Sequence, residues 1–566
     1  MTRLLIIGGV AGGATAAARA RRLDEHAEIT VIDRGPHVSY ANCGLPYFIG
    51  GKIADRSQLL LQTPDGFWAR YRVAVHVDTE AVEIQRAAHR VRVLGPTGER
   101  WLPYDKLLLA QGGNPILPPI PGAEAANVFT MWTIPDTDRL QAYLDSTKPK
   151  TAVVVGGGFI GLEMAEAFQR RGLATTIVEL LPTVMGIMDR AFGVAIAREL
   201  QANGIEVMTG VGVRAVHASD RSVELADGRR LPADVVLFSV GVRPELALAK
   251  SAGLAIGASG ALEVDEHLRT SDPDVYAAGD MAEILHKVTG RRVRVPLAGP
   301  ANRQGRIAAS NALGRTMIYR GALGTSVVKV FESTAASTGL TEKAARDAGF
   351  DVGVAVVHKL HHAGYYPGAQ ELTLTLVYDR KTARLLGGQA FGRAGADKRI
   401  DVLATALQGK LTLHDLAELD LAYAPAYSSA NDLVNLAAFV GLNDISGDSP
   451  LVTAAQLKAE LASTAPPIVL DVRSVEEHAE SHLRGALRLT PEELRQEHAT
   501  LPRDRRIVTH CRVGFRGHLA VRILKGLGFA NLANVTGGYL SMQAEGGFDL
   551  HQATILRSTR AAGAPS

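Results

Sequence analysis

The sequence predicts an α/β fold with several domains, in which the strands of parallel sheets alternate with helices. With 566 residues, the chain is too long for a single hydrophobic core. Short apolar runs typical of buried strands are followed by helical stretches. The 58 glycines suit a fold with many tight strand-to-helix turns. We therefore expect roughly three to five domains.

Composition and charge exclude several classes of protein. A net charge of +3 gives no indication of nucleic-acid binding. No apolar run is long enough to span a bilayer, and the amino terminus lacks the regions of a signal peptide. The chain has two cysteines, Cys43 and Cys511, which excludes a disulfide framework and favours a reducing compartment. We expect a cytoplasmic protein without a metal site.

The first βαβ unit comprises a strand at 3–7, a glycine-rich turn, an alanine-rich helix and a strand at 29–33. Its turn is Gly8-Gly9-Val10-Ala11-Gly12-Gly13. Val10 stands where a G-x-G-x-x-G motif has its middle glycine, so the motif alone is a weak signal. Asp33, followed by Arg34, ends the second strand, where a carboxylate is expected to bind a ribose hydroxyl.

The second βαβ unit repeats this plan at 151–179 and carries the complete motif. Gly156, Gly158 and Gly161 lie between a strand and a helix, and Glu179 ends the next strand. Such glycines let a pyrophosphate approach the backbone amides at the helix start. A carboxylate at Glu179 repels the 2′-phosphate of NADP, so NADH is favoured. The alternative is that the glycines only allow close packing. Two Rossmann-like domains are therefore predicted.

Cys43 lies in the segment SYANCGLPYFIGG, ten residues after Asp33. We expect a helix amino end here, which would lower the pKa of the thiol. The residue five positions later is Phe48, so a local disulfide cannot form. Chemistry at Cys43 must then use one sulfur, as a mixed disulfide, a persulfide or a sulfenic acid. The alternative is an inert structural cysteine.

A strand near residue 277 is followed by Gly279 and Asp280. Together with Asp33, these residues resemble the FAD site of flavoproteins that have two dinucleotide domains. In those families a strand ending in Ala-Thr-Gly precedes the second nucleotide domain, whereas this chain has Ala110-Gln111-Gly112. The resemblance implies that the first unit binds FAD beside Cys43.

The motifs SYANCGLPYFIGG, GGVAGG and AYAPAYSSAND resemble those of the coenzyme A-disulfide reductase family over about residues 1–445. This resemblance implies FAD, a homodimer and CoA held on Cys43 as a mixed disulfide. A lysine of the family near position 71 is replaced by Tyr71, between Arg70 and Arg72. The resemblance assigns CoA binding to Thr15, Arg19, Arg22, Ser39 and Asn42. Arg19 and Arg22 share a helical face that suits phosphates; the alternative is a solvated basic face.

In this family, tyrosines of the partner subunit approach the cysteine. The segment HHAGYYPG offers Tyr365 and Tyr366, and LAYAPAYSS offers Tyr423 and Tyr427. Their spacing favours Tyr365 and Tyr423, whose hydroxyls could hydrogen-bond a leaving thiolate or donate a proton. The alternative is a pair of core or interface tyrosines.

The carboxy-terminal segments IVLDVR, RIVTHCRVGFRG and NVTGGY resemble a rhodanese domain. Cys511 begins a loop that extends to Arg516, in which successive backbone amides form an anion-binding cradle. Arg512 and Arg516 are expected to add positive potential that favours a thiolate or persulfide. Asp471 and Arg473 are expected to brace the loop. The alternative is an inert rhodanese-like module.

The combined prediction is an FAD-dependent NAD(P)H reductase of CoA persulfide, polysulfide and CoA disulfide, with Cys511 carrying sulfane sulfur. An NADH oxidase or peroxidase that cycles Cys43 through sulfenic acid and a redox-sensing flavoprotein remain as alternatives. The predicted domains are FAD-binding (1–112 and 245–320), NAD(P)H-binding (113–244), α+β dimerisation (321–445), and a linker with an α/β rhodanese domain (446–566). Residues 443–450 are the expected linker region, and 558–566 a frayed tail.

Overall fold

A computed structural model describes residues 1–552, which form two compact units. The first contains Met1–Ile187, Ile196–Ser333 and Ser337–Gly339; the second contains Met188–Ala195, Thr334–Ala336 and the chain from Leu340 onward. The frayed tail predicted at 558–566 lies outside the described residues. Among residues 1–552, the search for a helix long and apolar enough to cross a membrane finds none.

The first unit contains both predicted βαβ units. The elements that position its sites are, as far as residue 179, β1 (Arg3–Ile7), α1 (Ala11–Leu23), β2 (Glu28–Ile32), α2 (Leu45–Ile49), α3 (Pro64–Tyr71), β3 (Ala74–His76), β4 (Lys106–Leu109), β5 (Val128–Phe129), α4 (Ile134–Thr147), β6 (Thr151–Val155), α5 (Phe159–Arg170) and β7 (Ala174–Glu179). They continue with β8 (Glu206–Thr209), β9 (Val235–Phe238), β10 (Val275–Ala277), α6 (Ala298–Ala312) and β11 (Ser326–Val330).

Two parallel sheets form the framework of the first unit. Their strand orders are β10-β4-β1-β2-β3 and β8-β7-β6-β9-β5. In each sheet the central strand, β1 or β6, leads into a glycine turn and pairs with the strand that precedes the ribose carboxylate. Both turns lie at the carboxyl ends of central strands, which is where open α/β sheets bind ligands. The prediction of two Rossmann-like sheets is confirmed.

The second unit contains an antiparallel sheet and a parallel sheet. Its elements are β12 (Val352–Leu360), β13 (Glu371–Asp379), β14 (Leu385–Gly392), α7 (Ala396–Gly409), α8 (Leu433–Ile445), β15 (Leu451–Val452), α9 (Ala454–Leu461), β16 (Ile468–Asp471), α10 (Val475–Glu480), β17 (Leu487–Arg488), α11 (Pro491–Glu497), β18 (Ile507–His510), α12 (Phe515–Gly526), β19 (Leu532–Val535) and α13 (Gly538–Glu545). Strands β14-β13-β12 are antiparallel neighbours with β12 at the edge, and the parallel order is β15-β19-β18-β16-β17.

The carboxy-terminal sheet domain covers part of the edge strand β12. The backbone amide of Val356 donates to Thr536 Oγ1 at 2.7 Å. His358 lies two residues further along the strand, and its Nε2 is 3.3 Å from Ser541 Oγ. A buried sheet edge needs partners for its amides, and the loop after β19 supplies one of them.

The linker between these two sheets is shorter and more firmly bonded than the sequence suggests. Residues 443–445 form the last turn of α8 rather than part of a turn-rich connection. Asp444 Oδ1 accepts a hydrogen bond from the Leu451 amide at 2.8 Å, so it spans the connection. Arg522 pairs with Asp448, and Lys525 donates to the Gly447 carbonyl at 2.8 Å. The helix continues to Ile445 because apolar periodicity outweighs the polar character of Asn443 and Asp444.

Candidate active site

The first glycine turn joins β1 to α1 and brings its backbone against Asp33. Gly8 has a φ of +96°, and a Cβ on Gly13 would lie 1.7 Å from the Gly8 carbonyl oxygen. The Gly9 amide donates to Asp33 Oδ2 at 2.8 Å. Val10 is the N-cap of α1, which then begins at Ala11. Glycine is thus required at the first and last motif positions, while the middle position accommodates a valine.

Helix α1 packs closely against α6, and α6 in turn contacts the turn that contains Gly279 and Asp280. A Cβ on Gly305 would lie 2.1 Å from the Gly12 carbonyl oxygen, so the two helices approach backbone to backbone. The Gly279 amide donates to Gln304 Oε1 of α6 at 2.7 Å. Burial raises the pKa of the neighbouring Asp280 carboxyl to about 6.

The second glycine turn repeats the geometry of the first with a more open middle position. Gly156 has a φ of +103°, and a Cβ on Gly161 would lie 1.9 Å from the Gly156 carbonyl oxygen. Gly157 donates its amide to Glu179 Oε2 at 2.6 Å, as Gly9 does to Asp33. A Cβ on Gly158 would meet nothing within 4 Å. The space beside this N-cap suits a pyrophosphate at the start of α5.

Cys43 lies in a short 3₁₀ turn, Asn42–Gly44, directly before α2. Its side chain is exposed, and its amide donates to Asn42 Oδ1 at 3.1 Å. Partial burial raises the pKa of the Cys43 thiol, and the charges of Glu163 and Asp280 raise it further. The expectation that a helix end lowers this pKa is wrong for the protein chain, because burial and the charges of Glu163 and Asp280 outweigh the effect of α2, which has only five residues.

The residues assigned to CoA lie on α1 and around the Cys43 turn. Thr15 Oγ1 donates to Asn302 Oδ1 at 3.1 Å, and Arg19 Nε donates to Ser310 Oγ at 3.0 Å. Ser39 has a φ of +48° and donates its amide to the Gly9 carbonyl at 2.8 Å. Asn42 contacts Cys43 as described. Ser39 and Asn42 therefore connect the glycine turn to the thiol.

A group of arginines surrounds the exposed side of α1. Burial lowers the pKa of Arg19, and its neighbours Arg306, Arg22 and Arg315 lower it further through repulsion. Four guanidinium groups this close favour a bound anion with several charges. Position 71 is the last residue of α3, and the Tyr71 carbonyl accepts from Arg21 Nε at 2.7 Å. Arg70 and Arg72 flank Tyr71 in the sequence. The Arg70 guanidinium is 6.0 Å from the ring centre of Tyr71, and the Arg72 guanidinium is 5.5 Å from the ring centre of Trp68.

The two tyrosines favoured by spacing meet in the second unit. The hydroxyls of Tyr365 and Tyr423 are 3.1 Å apart, and the side chains are 78% and 48% exposed. The hydrogen bond to Tyr423 raises the pKa of Tyr365. Tyr366 instead packs edge-on against His362, with ring centres 5.6 Å apart. The exposure of Tyr365 and Tyr423 excludes a role as core residues, so this pair lies at the surface of the second unit.

Cys511 lies at the end of β18, in a tight loop that precedes α12. Its Sγ accepts the Gly514 amide at 3.1 Å, and Gly514 has a φ of +102°. Helix α12 begins at Phe515, so Arg516 belongs to the first helical turn rather than to the loop. Arg516 forms two bonds with Glu477, at 2.7 and 2.8 Å, and also interacts with the Cys511 sulfur.

Arg512, the other arginine predicted to add positive potential at the loop, lies beside a carboxylate. Its guanidinium lies 3.7 Å from Glu371 at the start of β13, and the side chain is 55% exposed. Arg512 therefore pairs with a carboxylate of the antiparallel sheet, while Arg516 supplies the positive charge beside the sulfur.

The brace expected from Asp471 and Arg473 is present. These side chains form a buried ion pair at 2.6 Å, and the Arg473 guanidinium lies 4.1 Å from the Tyr539 ring centre. Burial opposes ionisation of Asp471, but Arg473 and His510 outweigh it and lower its pKa to about 2. The Tyr539 amide donates to the Cys511 carbonyl at 2.8 Å, so the ion pair is connected to the loop through Tyr539.

Comparison with known proteins decides the family. The model "Pyridine nucleotide-disulphide oxidoreductase" matches residues 2–305, the dimerisation domain of that family matches 325–433, and a rhodanese-like domain matches 453–545. The chain belongs to the pyridine nucleotide-disulphide oxidoreductases. These oxidoreductases depend on FAD and NAD(P)H. The carboxy-terminal domain is rhodanese-like.

Three relatives illustrate the similarity. A coenzyme A disulfide reductase of Staphylococcus haemolyticus is 34% identical over 444 residues, covering 78% of this chain and 99% of the relative. The reduced CoADR-RHD of Bacillus anthracis is 39% identical, with a TM-score of 0.93 over 96% of this chain and 98% of that one. A NAD-dependent persulfide reductase from A. fulgidus is 36% identical, with a TM-score of 0.88 over 95% of this chain and 99% of that one.

One buried atom tests whether the first dinucleotide domain of this oxidoreductase suits FAD. Gln111 Oε1 is buried and has no hydrogen-bond partner among residues 1–552. Its Cα would lie 3.0 Å from a Cβ on Gly8, so it borders the glycine turn. A polar ligand at the turn could satisfy this oxygen, and the residues present therefore fit the cofactor. Arg34 directly follows Asp33, the ribose carboxylate, and its side chain donates to Asn114 Oδ1 at 2.5 Å.

Sequence reasoning missed two residues of the first unit, Tyr47 of α2 and Glu163 of α5. Tyr47 donates its hydroxyl to Glu163 Oε1 at 3.0 Å, although 116 positions separate them. A signal existed for each: Tyr47 follows Cys43 by four positions, and Glu163 interrupts the apolar stretch FIGLEMAEAF of α5. A carboxylate among apolar helix residues is a candidate for a perturbed pKa.

Proposed function

We propose that this oxidoreductase uses NAD(P)H and FAD to reduce the sulfur–sulfur bonds of CoA persulfide, polysulfide and CoA disulfide through Cys43. The single observation that carries the proposal is Cys43 itself, exposed beside the dinucleotide turn with Phe48 where a second cysteine would be needed. With no local dithiol, the partner sulfur must come from the substrate. The printed functions of the relatives support CoA and persulfide substrates.

The reaction balances in two steps. The Cys43 thiolate bonds to one sulfur of R–S–S–R′, where R is CoA and R′ is CoA or hydrogen, and R′–S⁻ leaves and takes up a proton. When bound, NAD(P)H and FAD would supply the two electrons needed to cleave the Cys43–S–S–R bond. Cys43 returns to a thiolate, and R–S⁻ takes up a second proton.

The predicted site residues are part of this proposal. The CoA phosphates would bind Arg19 and Arg22, with Thr15, Ser39 and Asn42 along the path to the sulfur. Tyr365 and Tyr423 would serve a leaving thiolate, and Cys511 would carry sulfane sulfur with Arg516 beside it. Glu179 favours NADH, because both of its oxygens accept backbone amides, from Gly157 and Leu181, and a phosphate would be repelled.

The proposed assembly is a cytoplasmic homodimer. The matched dimerisation domain supports the homodimer. We propose the domain limits 1–112 with 245–320 for FAD, 113–244 for NAD(P)H, 321–445 for dimerisation and 446–566 for the linker and rhodanese domain. Residues 553–566 of the last range lie outside the described residues.

Replacement Cys43→Ser tests the proposed function. We expect NADH oxidation with CoA disulfide or polysulfide to fall to the background rate, because the flavin-binding domain has no other thiol to accept the substrate sulfur. A single reduction of the bound flavin by NADH should persist and shows that the variant is folded. Retained turnover would contradict the proposal.

The same assay separates the alternatives. Rapid NADH consumption in air without a sulfur substrate, with water as product, would favour an oxidase. A stable charge-transfer band between thiolate and flavin, with negligible turnover on any acceptor, would favour a redox sensor.

A further inference from the structure

The amino end of α13 is in direct contact with the loop of Cys511. The Tyr539 amide donates to the Cys511 carbonyl at 2.8 Å, and the Leu540 amide donates to the Arg512 carbonyl at 3.1 Å. Amides in a first helical turn have no partner within the helix, so the loop satisfies two of them. A Cβ on Gly538 would lie 2.9 Å from the Arg512 carbonyl carbon, so backbone meets backbone here. A displacement of this helix end therefore displaces the loop.

The same helix end is supported from its other side by the edge strand β12. A Cβ on Gly537, which precedes the helix, would lie 2.8 Å from Val356 Cγ1 and 2.9 Å from His358 Nε2. Gly537 and Gly538 have φ values of +70° and +60°, which glycine adopts without a steric penalty. The backbone of this two-glycine turn thus lies between β12 and the loop of Cys511.

His358 joins the antiparallel sheet to α13 through both of its ring nitrogens. Its Nδ1 is 2.8 Å from Thr373 Oγ1 on the neighbouring strand β13, and its Nε2 is 3.3 Å from Ser541 Oγ in α13. Burial lowers the pKa of His358 to about 4, and the charge of Arg512 contributes to this decrease. The ring is therefore neutral at pH 7. A neutral imidazole has one N–H donor and one acceptor nitrogen, which suits a link between two hydroxyl groups.

The position of the two-glycine turn bears on how the Cys511 sulfur is stabilised. Its Sγ accepts the Gly514 amide at 3.1 Å, and a Cβ on Gly514 would lie 3.5 Å from the Gly537 nitrogen. Gly514 is therefore packed against the turn that β12 supports. The charged side chains at the loop form their own pairs, Arg512 with Glu371 and Arg516 with Glu477. A hydrogen bond to an anion is strong, so the place of the Gly514 amide affects the stability of a sulfur anion.

We propose that His358 positions the loop of Cys511, so that strand β12 of the antiparallel sheet completes the sulfur-carrying site of the rhodanese-like domain. This inference rests on the proposed role of Cys511. The contacts run from His358 through Ser541 and the two-glycine turn to the Gly514 amide. When polysulfide loads the site, the Cys511 thiolate bonds to a terminal sulfur, one S–S bond of the polysulfide breaks, and the shortened polysulfide leaves as a dianion. The Gly514 amide stabilises the thiolate before this step and the persulfide anion after it.

The test uses the full-length holoenzyme with Cys43 replaced by serine, in which Cys511 is the one remaining cysteine. The rate of alkylation by iodoacetamide as a function of pH then reports on the Cys511 thiolate alone. His358→Phe removes both hydrogen bonds and keeps a ring of similar size. We expect it to react about threefold more slowly than the parent at pH 7, because a displaced Gly514 amide stabilises the thiolate less. At high pH it should react at least as fast as the parent, since the loop is no less accessible.

Matched replacements at Thr373 separate positioning from a general loss of packing, and they replace the test if His358→Phe does not fold. Thr373→Ser keeps the hydroxyl that holds the His358 ring and should retain the parent profile. Thr373→Val keeps the volume but removes the hydroxyl, so its profile should move to higher pH. Lys359→Gln, on the opposite face of β12, is the control without effect. Conversion of Cys511 to a persulfide by polysulfide, followed by mass spectrometry, should slow in the same variants.

The outcomes distinguish this inference from the function on which it rests. Alkylation profiles that coincide in the parent and in His358→Phe would overturn the inference, as would equal shifts in Thr373→Ser and Thr373→Val. A parent whose Cys511 does not react with iodoacetamide at any pH would also overturn it, because a loop arranged for sulfur transfer must admit a small electrophile. Shifted profiles in a protein that forms no Cys511 persulfide with polysulfide would support the positioning role and overturn the proposed sulfur-carrying role.

Discussion

The two cysteines of this oxidoreductase have opposite surroundings. Cys43 has an exposed side chain, but partial burial of its thiol and the charges of Glu163 and Asp280 oppose its ionisation. Cys511 is 1% exposed and receives the Gly514 amide, with Arg516 close by. Hydrogen-bond donors stabilise a sulfur anion, whereas carboxylates destabilise it. Cys511 is thus suited to hold a charged persulfide, and Cys43 to alternate between a disulfide and a transient thiolate.

His510, directly before Cys511, makes the rhodanese domain sensitive to acid. Its ring is fully buried, and neither ring nitrogen has a hydrogen-bond partner within residues 1–552. Burial lowers its pKa from 6.5 to about 4. Between these two values the unfolded chain binds a proton that the folded domain does not. We therefore expect the contribution of His510 to folded stability to be full above pH 6.5 and to be lost as pH falls towards 4, by up to about 3 kcal/mol.

We expect hydrogen exchange of β18 peptides, corrected for intrinsic rates, to show this loss of protection between pH 7 and pH 5. His510→Leu removes the titrating ring at similar volume, so its protection should change less over the same interval. An unchanged slope in His510→Leu would assign the acid sensitivity to other groups. The exposed His26→Leu replacement in the first unit is a control without effect on β18.

At the scale of an element, the second glycine turn separates a folding requirement from a binding requirement. A methyl group at Gly161 would collide with the Gly156 carbonyl at 1.9 Å, whereas one at Gly158 meets no protein atom within 4 Å. Gly161→Ala should lower the melting temperature by several degrees. Gly158→Ala should keep the melting temperature but raise the KM for NADH about tenfold, because the methyl occupies the pyrophosphate's approach.

Calorimetry and steady-state kinetics on both variants check this pair. Equal melting temperatures in Gly161→Ala and the wild type would show that the turn can relax. An unchanged KM in Gly158→Ala would place the pyrophosphate elsewhere.

The elements that could be predicted from the sequence are those specified by neighbouring residues. The strand, glycine and carboxylate pattern of 151–179 reproduces the observed β6, α5 and β7 because each part depends on local turn chemistry. The pairing of Tyr47 with Glu163 and of Arg512 with Glu371 joins residues more than a hundred positions apart. No local pattern specifies such a contact, since it depends on how the elements pack. For the same reason, the sequence suggested a helix-end effect at Cys43 but could not reveal the carboxylates around it.

At the scale of the whole chain, the rhodanese domain protects an edge that its absence would expose. Strand β12 has the apolar sequence VGVAVVHKL, and its Val356 amide is bonded to Thr536. A chain that ends at residue 445 should still reduce CoA disulfide with NADH, but it should aggregate more readily, because edge strands with free amides pair with each other. Light scattering at increasing concentration measures this.

Val356→Lys in the shortened chain should restore solubility, since a lysine on an edge strand discourages pairing. Equal scattering from the full-length and shortened chains would show that the edge is harmless. Loss of reductase activity only in the shortened chain would instead give the rhodanese domain a part in the first step.

The bonded connection between α8 and β15 also bears on transport. Contacts at Asp444, Gly447 and Asp448 hold both ends of the short segment between α8 and β15. Under the proposed function, we expect these contacts to restrict the swing of the rhodanese domain about its linker. A relay of sulfur between the two cysteines that uses a free carrier thiol should then quicken with the concentration of that thiol and slow with solvent viscosity.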